Sequence, residues 1–148
     1  MRDFPSGVSI VTVSDGADDY GITIGSLVSL SLDPPLVGIS IGHESSLYET
    51  LERSPGFAVN LLAGDQGELA EDFARKGVRS FTGRDGLKFR RSPSGYPLLE
   101  GAVGWLDCRV HAKHVVGDHT LFVGEVLVVE DGPGERALVY QQRSYKPV

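Results

Sequence analysis

Two runs of alternating residues, Ala102 to Val116 and His119 to Val129, flank Gly117-Asp118, and no other feature restricts the fold as much. A two-residue, glycine-led turn between runs of period two marks a β-hairpin, and arms this long need a sheet to lie in. Shorter β-branched runs supply further strands. Val8 to Val13 is one, closed by Asp15-Gly16. Residues 20 to 32 read as another, interleaving Ile22, Ile24, Leu27, Leu30 and Leu32 with Thr23, Ser26, Ser29 and Ser31. Asp33-Pro34-Pro35 stops it, because proline cannot donate to a ladder. Leu36 to Ile41, Phe57 to Leu62 and Ala137 to Gln141 complete the strands.

Two helices interrupt this pattern. Ser46-x-x-Glu49 has the spacing of a capping box ahead of Leu47, Tyr48 and Leu51, with an end near Ser54-Pro55-Gly56. Asp65-x-x-Glu68 opens a second helix whose Leu69, Phe73 and Ala74 share a face and which Gly77 ends. Residues 77 to 97 show no period and read as a long loop, a kind of segment that is usually functional or disordered. The expectation is one domain over residues 1–148, all-β dominated and barrel-like, since closing a sheet removes its edges.

Composition narrows the chemistry. A chain of 148 residues, 41% hydrophobic, removes roughly 68–70% of its unfolded surface from water and needs no disulfide or structural metal. The single cysteine excludes CxxC redox motifs and cysteine-ligated clusters. A formal charge of −6 argues against nucleic acid. Seven of the basic residues (Arg75, Lys76, Arg79, Arg84, Lys88, Arg90, Arg91) nonetheless crowd one stretch, where an anionic small molecule would be drawn. The apolar run from Leu27 is broken at Asp33, short of a membrane span, and the N-terminus lacks a secretion core, so a cytoplasmic location is expected.

Three clusters carry candidate chemistry. Gly21 to Ser31 places glycines and hydroxyls where large β-branched residues would pack better, which suits either a flat ligand or a plain half-exposed strand. His43-Glu44-Ser45-Ser46 precedes the first helix, where an anion such as a phosphate monoester, or ordinary capping, would use the free amides. Gly117-Asp118-His119 puts a histidine beside a carboxylate at a hairpin tip. His111-x-x-His114 is rejected as a metal site, because residues three apart on a strand face opposite sides. There is no GxSxG elbow, Walker loop or GxGxxG fingerprint.

The segments Gly21-Ile-Thr-Ile-Gly-Ser-Leu-Val-Ser-Leu-Ser-Leu-Asp-Pro-Pro-Leu36, Phe57-Ala-Val-Asn60 and Gly117-Asp-His-Thr-Leu-Phe-Val-Gly-Glu-Val126, with Phe4 to Val13 and Leu106 to Val110, occur in an order and spacing that closely resemble the flavin reductase-like, FMN-binding split-barrel family. The resemblance implies a homodimer of Greek-key split β-barrels that binds FMN or FAD, reduces it with NADH or NADPH, and releases reduced flavin to a partner oxygenase. It places Thr23, Ile24, Gly25 and Ser26 along the isoalloxazine edge, Ser29 and Ser31 near the ribityl chain, and Asn60 on the adjacent strand. It sets His43, Ser45 and Ser46 at the flavin phosphate and Phe81 over the cofactor; many relatives carry a lysine or other polar group where Ser45 and Ser46 stand, so Arg75, Lys76 or Arg79 is expected to balance the phosphate charge instead. His119, oriented by Asp118, resembles the histidine beside the nicotinamide and flavin rings. An FMN-holding electron carrier, without direct NAD(P)H turnover, is the alternative.

Overall fold

The structure, a computed structural model, describes residues 1–77 and 79–148. Twelve strands and two helices occur among the described residues. In chain order they are β1 (Ser6–Gly7), β2 (Ser9–Ser14), β3 (Asp19–Ile24), β4 (Val28–Leu32), β5 (Pro35–Gly42), α1 (Tyr48–Arg53), β6 (Gly56–Leu61) and α2 (Gly67–Ala74). There follow β7 (Phe89–Arg91), β8 (Pro97–Leu99), β9 (Gly104–Val116), β10 (His119–Asp131), β11 (Leu138–Gln141) and β12 (Ser144–Pro147).

Seven strands form one antiparallel sheet in the order β3-β2-β6-β9-β10-β5-β4. Laid flat, seven strands would span roughly 29 Å. The chain crosses from β3 at one edge to β4 at the other between Ile24 and Val28, a path that reaches at most ~14 Å. The sheet therefore has to curl. Its two edge strands do not pair with each other, so it curls without closing into a barrel.

The run from Tyr20 to Leu32, expected as one strand, is thus two strands at opposite edges. At the crossing, a Cβ on Gly25 would lie 2.8 Å from Ser6 Oγ. Ser26 Oγ donates to Ser40 O at 3.1 Å and accepts from Ser40 N at 3.0 Å, tying the crossing to β5 where no ladder continues.

Curling sorts the apolar residues into layers. The concave face gathers Val11, Val13, Ile22, Ile24, Ile39, Ile41, Phe57, Val59, Cys108 and Phe122, with Leu47 and Leu51 of α1. On the convex face α2 and the loop after it pack Ala70, Phe73 and Phe81 against Val8, Ile10, Leu62, Leu99 and Leu138. The β7–β8 hairpin covers Ala58, Ala102 and Trp105 with Tyr96 and Leu98. Residues of β2 are buried on both faces, which explains why it reads as a nearly continuous apolar run.

Local signals mark the helices but misplace their ends. Neither helix has a side-chain N-cap hydrogen bond. Ser45, not Ser46, serves the first turn, its Oγ accepting from Leu47 N at 3.2 Å. The second helix stops at Ala74 rather than Gly77, and the Arg79 guanidinium satisfies its end by donating to Phe73 O and Arg75 O at 2.8 and 2.6 Å. The expected loop from 77 to 97 contains the β7–β8 hairpin and a bridge from Ser80 to Tyr20, apart from residue 78, which lies outside the described residues. Three-residue strands are too short for their period to show in sequence.

Candidate functional site

The outer face of β5 carries small residues toward its end. Ile39 and Ile41 point into the core, so Gly38, Ser40 and Gly42 share the opposite face. A Cβ on Gly38 would come 3.0 Å from Leu30 Cδ1 and 3.1 Å from Leu121 Cδ1, and one on Gly42 would sit 3.5 Å from His119 Nε2. The side chains of Leu30, Leu121 and Val28 thus cover Gly38, which is buried, while Gly42 is half-buried beside the His119 ring. Along this strip lie Ser26, bonded to the Ser40 backbone, and Ser29 and Ser31 on β4, paired with Val37 and Leu36. The register shift at Leu30 pairs these two serines with adjacent residues of β5, so their hydroxyls face opposite sides.

One end of the strip is closed by the hairpin tip. Gly117, at φ +61°, takes the first central position of the turn between β9 and β10. His119 pairs with Gly42, and His43 N donates to Asp118 O at 2.9 Å, which fastens the tip to the β5–α1 turn. His119 Nδ1 lies 2.7 Å from Asp118 Oδ1. A carboxylate only accepts, so Nδ1 carries the proton and Nε2 is the nitrogen left facing Gly42. The hydrogen bond from His119 holds the Asp118 carboxyl below its ordinary 3.8.

Beneath the tip, Thr120 is 1% exposed. Its Oγ1 lies 2.8 Å from His43 Nε2 and 3.2 Å from the Tyr48 hydroxyl. The His43 and Tyr48 rings meet at 4.9 Å with a 59° tilt. Ser45 and Ser46 follow on the same turn, Ser46 exposed. With only six residues, α1 contributes little dipole, so any anion preference here rests on side chains rather than on the helix.

This arrangement fits a flat, phosphorylated ring system: a glycine, Gly42, beside the His119 ring, histidine nitrogens at the hairpin tip and an exposed hydroxyl beyond them. The family model described as flavin reductase like domain matches residues 1–148. The chain belongs to this family. Among flavin reductase-like proteins it is 38% identical over 142 residues to an NADH-dependent FAD reductase of Streptomyces globisporus, covering 93% of this chain and 76% of that one. It is 36% identical over 146 residues to the reductase component of 4-hydroxyphenylacetate 3-monooxygenase of Thermus thermophilus, covering 97% and 89%. The crystal structure of the flavin reductase component of a bacterial two-component tryptophan halogenase superposes with a TM-score of 0.91 at 30% identity, covering 99% of this chain and 92% of that one.

Within this flavin reductase-like fold, the residues singled out from the sequence separate into two sets. Ser26, Ser31, His43, Ser45, Ser46, Asp118 and His119 lie along or at the end of the β5 strip, whereas Ser29, paired with Val37, faces the other side of the sheet. The others make contacts within the protein, although Thr23, Ile24 and Gly25 also line a cavity of about 190 Å³ with Ser6, Tyr140 and Tyr145. Thr23 Oγ1 donates to Ala70 O at 2.7 Å, Ile24 belongs to the concave core, and a Cβ on Gly21 would meet the Phe73 ring at 3.1 Å. The small residues of β3 thus make room for α2, and Gly25 makes room for Ser6. Asn60 is fully buried, its Nδ2 donating to Ile10 O and Thr12 Oγ1 and its Oδ1 accepting from Leu99 N. Its side-chain amide is used within the core. Arg79 ends α2, and Phe81 lies among Phe73 and Phe89, at 5.4 and 5.2 Å between ring centroids.

Strict alternation also fails at His111. Val110 pairs with Gly124 and Ala112 with Val123, so His111 is an extra residue and alternation does not separate it from His114. Both rings are exposed, and among the described residues no three metal-ligating side chains gather.

Sequence reasoning missed Gly38, Ser40, Gly42, Tyr48 and Thr120. The first three had a visible signal, small residues at period two against Ile39 and Ile41. For Thr120 no local signal existed, since its partner His43 lies 77 positions away.

Proposed function

We propose that this chain is an NAD(P)H-dependent flavin reductase that takes FMN or FAD at the end of the β5 strip and supplies reduced flavin to a partner oxygenase. The observation that carries this reading is the cluster of His43, Ser45, Ser46 and His119 at the end of β5, where Gly42 faces His119 Nε2, in a chain of the flavin reductase-like family. When bound, the nicotinamide and flavin supply the hydride chemistry. The chain needs no nucleophile or acid–base dyad of its own, only orientation and hydrogen bonds.

Each residue then has a bounded task. Gly42 lets a planar ring approach backbone beside His119, and Ser26 holds the crossing in place. His43, Ser45 and Ser46 receive the anionic tail. His119, protonated on Nδ1 and oriented by the Asp118 carboxylate, holds or exchanges a proton at Nε2 beside the rings. The related reductase components named for a monooxygenase and a halogenase support transfer of reduced flavin to an oxygenase.

A homodimer of split Greek-key barrels completes the reading. The curled but unclosed sheet leaves Val28, Leu30 and Leu32 of β4 exposed at 45%, 45% and 89%, with Leu127 and Val129 of β10 at 46% and 66%. An apolar edge strand of this kind calls for a cover. Among the described residues no helix is long and apolar enough to cross a membrane, and we place the protein in the cytoplasm.

Oxidation of NADH and of NADPH is measured against FMN, FAD and riboflavin in excess. A reductase turns over many equivalents, and His119→Ala lowers turnover more than flavin affinity. A single stoichiometric reduction would make the protein a carrier, and unchanged turnover in His119→Ala would remove that residue from the mechanism.

A further inference from the structure

We propose that Thr120 and Tyr48 are positioning residues, whose buried hydroxyl chain fixes the proton of His43 on Nδ1 and so presents an N–H donor to the anionic tail of the flavin. The proposal rests on the placement of that tail at His43, Ser45 and Ser46, and it concerns residues that neither the sequence pattern nor the family resemblance singled out.

Thr120 Oγ1 has a single proton and two partners, His43 Nε2 at 2.8 Å and the Tyr48 hydroxyl at 3.2 Å. At 1% exposure, water does not substitute for either. Two arrangements satisfy the chain. In one, Tyr48 donates to Thr120 and Thr120 donates to Nε2; in the other, Nε2–H donates to Thr120 and Thr120 donates to Tyr48. A phenol is a stronger acid than an aliphatic alcohol and a weaker acceptor, while a neutral imidazole nitrogen is the strongest acceptor of the three. The first arrangement therefore matches each donor to the better acceptor.

It leaves the His43 proton on Nδ1. That nitrogen has no hydrogen-bond partner among the described residues. The ring cannot swing freely to find one, because Nε2 is anchored and the Tyr48 ring lies 4.9 Å away. A hydroxyl that sets a histidine tautomer in this way acts on a ligand it never touches.

The test uses the full chain with Thr120→Val, Thr120→Ser and Tyr48→Phe, and two readouts. Ring-nitrogen NMR shifts of His43 in flavin-free protein report the tautomer directly. Dissociation constants for FMN and for riboflavin, which lacks the phosphate, come from quenching of flavin fluorescence. Wild type and Thr120→Ser are expected in the Nδ1–H form, and Thr120→Val and Tyr48→Phe shift toward Nε2–H. FMN affinity falls about tenfold in Thr120→Val, riboflavin affinity stays within about twofold, and Thr120→Ser restores FMN binding.

An Nε2–H tautomer in wild type would overturn the proposal. So would a parallel loss of FMN and riboflavin affinity in Thr120→Val, which is what a merely structural role gives. Wild-type protein that bound riboflavin as tightly as FMN would overturn the placement of the phosphate, a separate failure from that of the hydroxyl chain, which the NMR shifts judge alone.

Discussion

Replacing Asn60 by alanine tests whether this residue belongs to the core or to the ligand site. Its amide joins three segments: Nδ2 donates to Ile10 O at 2.9 Å and Thr12 Oγ1 at 3.2 Å, and Oδ1 accepts from Leu99 N at 2.7 Å. Asn60→Ala strands the Leu99 N–H in a fully buried place, which costs about 1–3 kcal/mol, and removes two further bonds at about 1 kcal/mol each. Thr12 keeps a partner, since its hydroxyl donates to Pro97 O at 2.6 Å. The expected loss is ~3–5 kcal/mol, or a fall in Tm of about 10 °C for a chain of this size. Thermal and urea unfolding followed by circular dichroism measure it. Flavin affinity, read well below the lowered Tm, stays within about twofold of wild type on the reasoning above. A variant with unchanged Tm and weakened flavin binding would refute the core assignment and return Asn60 to the site.

Other perturbations separate the site from its scaffold. Gly42→Val puts two methyl groups beside His119 Nε2 and weakens flavin binding at least tenfold by titration, with stability within about 1 kcal/mol of wild type. Burial raises the Cys108 thiol to about 12, so thiol reagents label it only on unfolding; labelling of native protein at neutral pH would contradict the packing. The Asp118 carboxyl is depressed below 3.8 by His119, so the pair's contribution is present above that ordinary value and lost as pH falls through the lower folded one. Turnover should accordingly show no Asp118-dependent change from neutral pH down to roughly 4, and Asp118→Asn should lower it across that range. Leu32→Glu charges the exposed edge strand and should convert a dimer to monomers by light scattering without loss of fold.

How much of this was legible in the sequence depended on the range of the interaction that decided it. The hairpin at Gly117-Asp118 was plain because its arms alternate and its turn needs a residue that accepts positive φ. The cluster of His43, Asp118 and His119 was reachable through the resemblance, and the β5 strip was written as Gly38-x-Ser40-x-Gly42 yet overlooked beside the more conspicuous glycines of β3. The β3 glycines are ambiguous in sequence because a missing side chain reads the same whether a ligand or, as at Gly21, the protein's own Phe73 occupies the space. Capping motifs at Ser46 and Asp65 misled as well, since neither helix has a side-chain cap hydrogen bond and Ser45, not Ser46, accepts from Leu47 N.

By itself, then, the sequence determined the strand-built class, the hairpin and the identity of the histidines, since backbone sterics and side-chain period act over neighbours only. The curl that brings β3 and β4 to the two edges of one sheet, the burial of Asn60, the seat of α2 on β3 and the Tyr48–Thr120–His43 contact were decided by tertiary structure. Each joins residues far apart in the chain, and only packing of the whole core chooses which distant groups a buried donor or an absent side chain will meet.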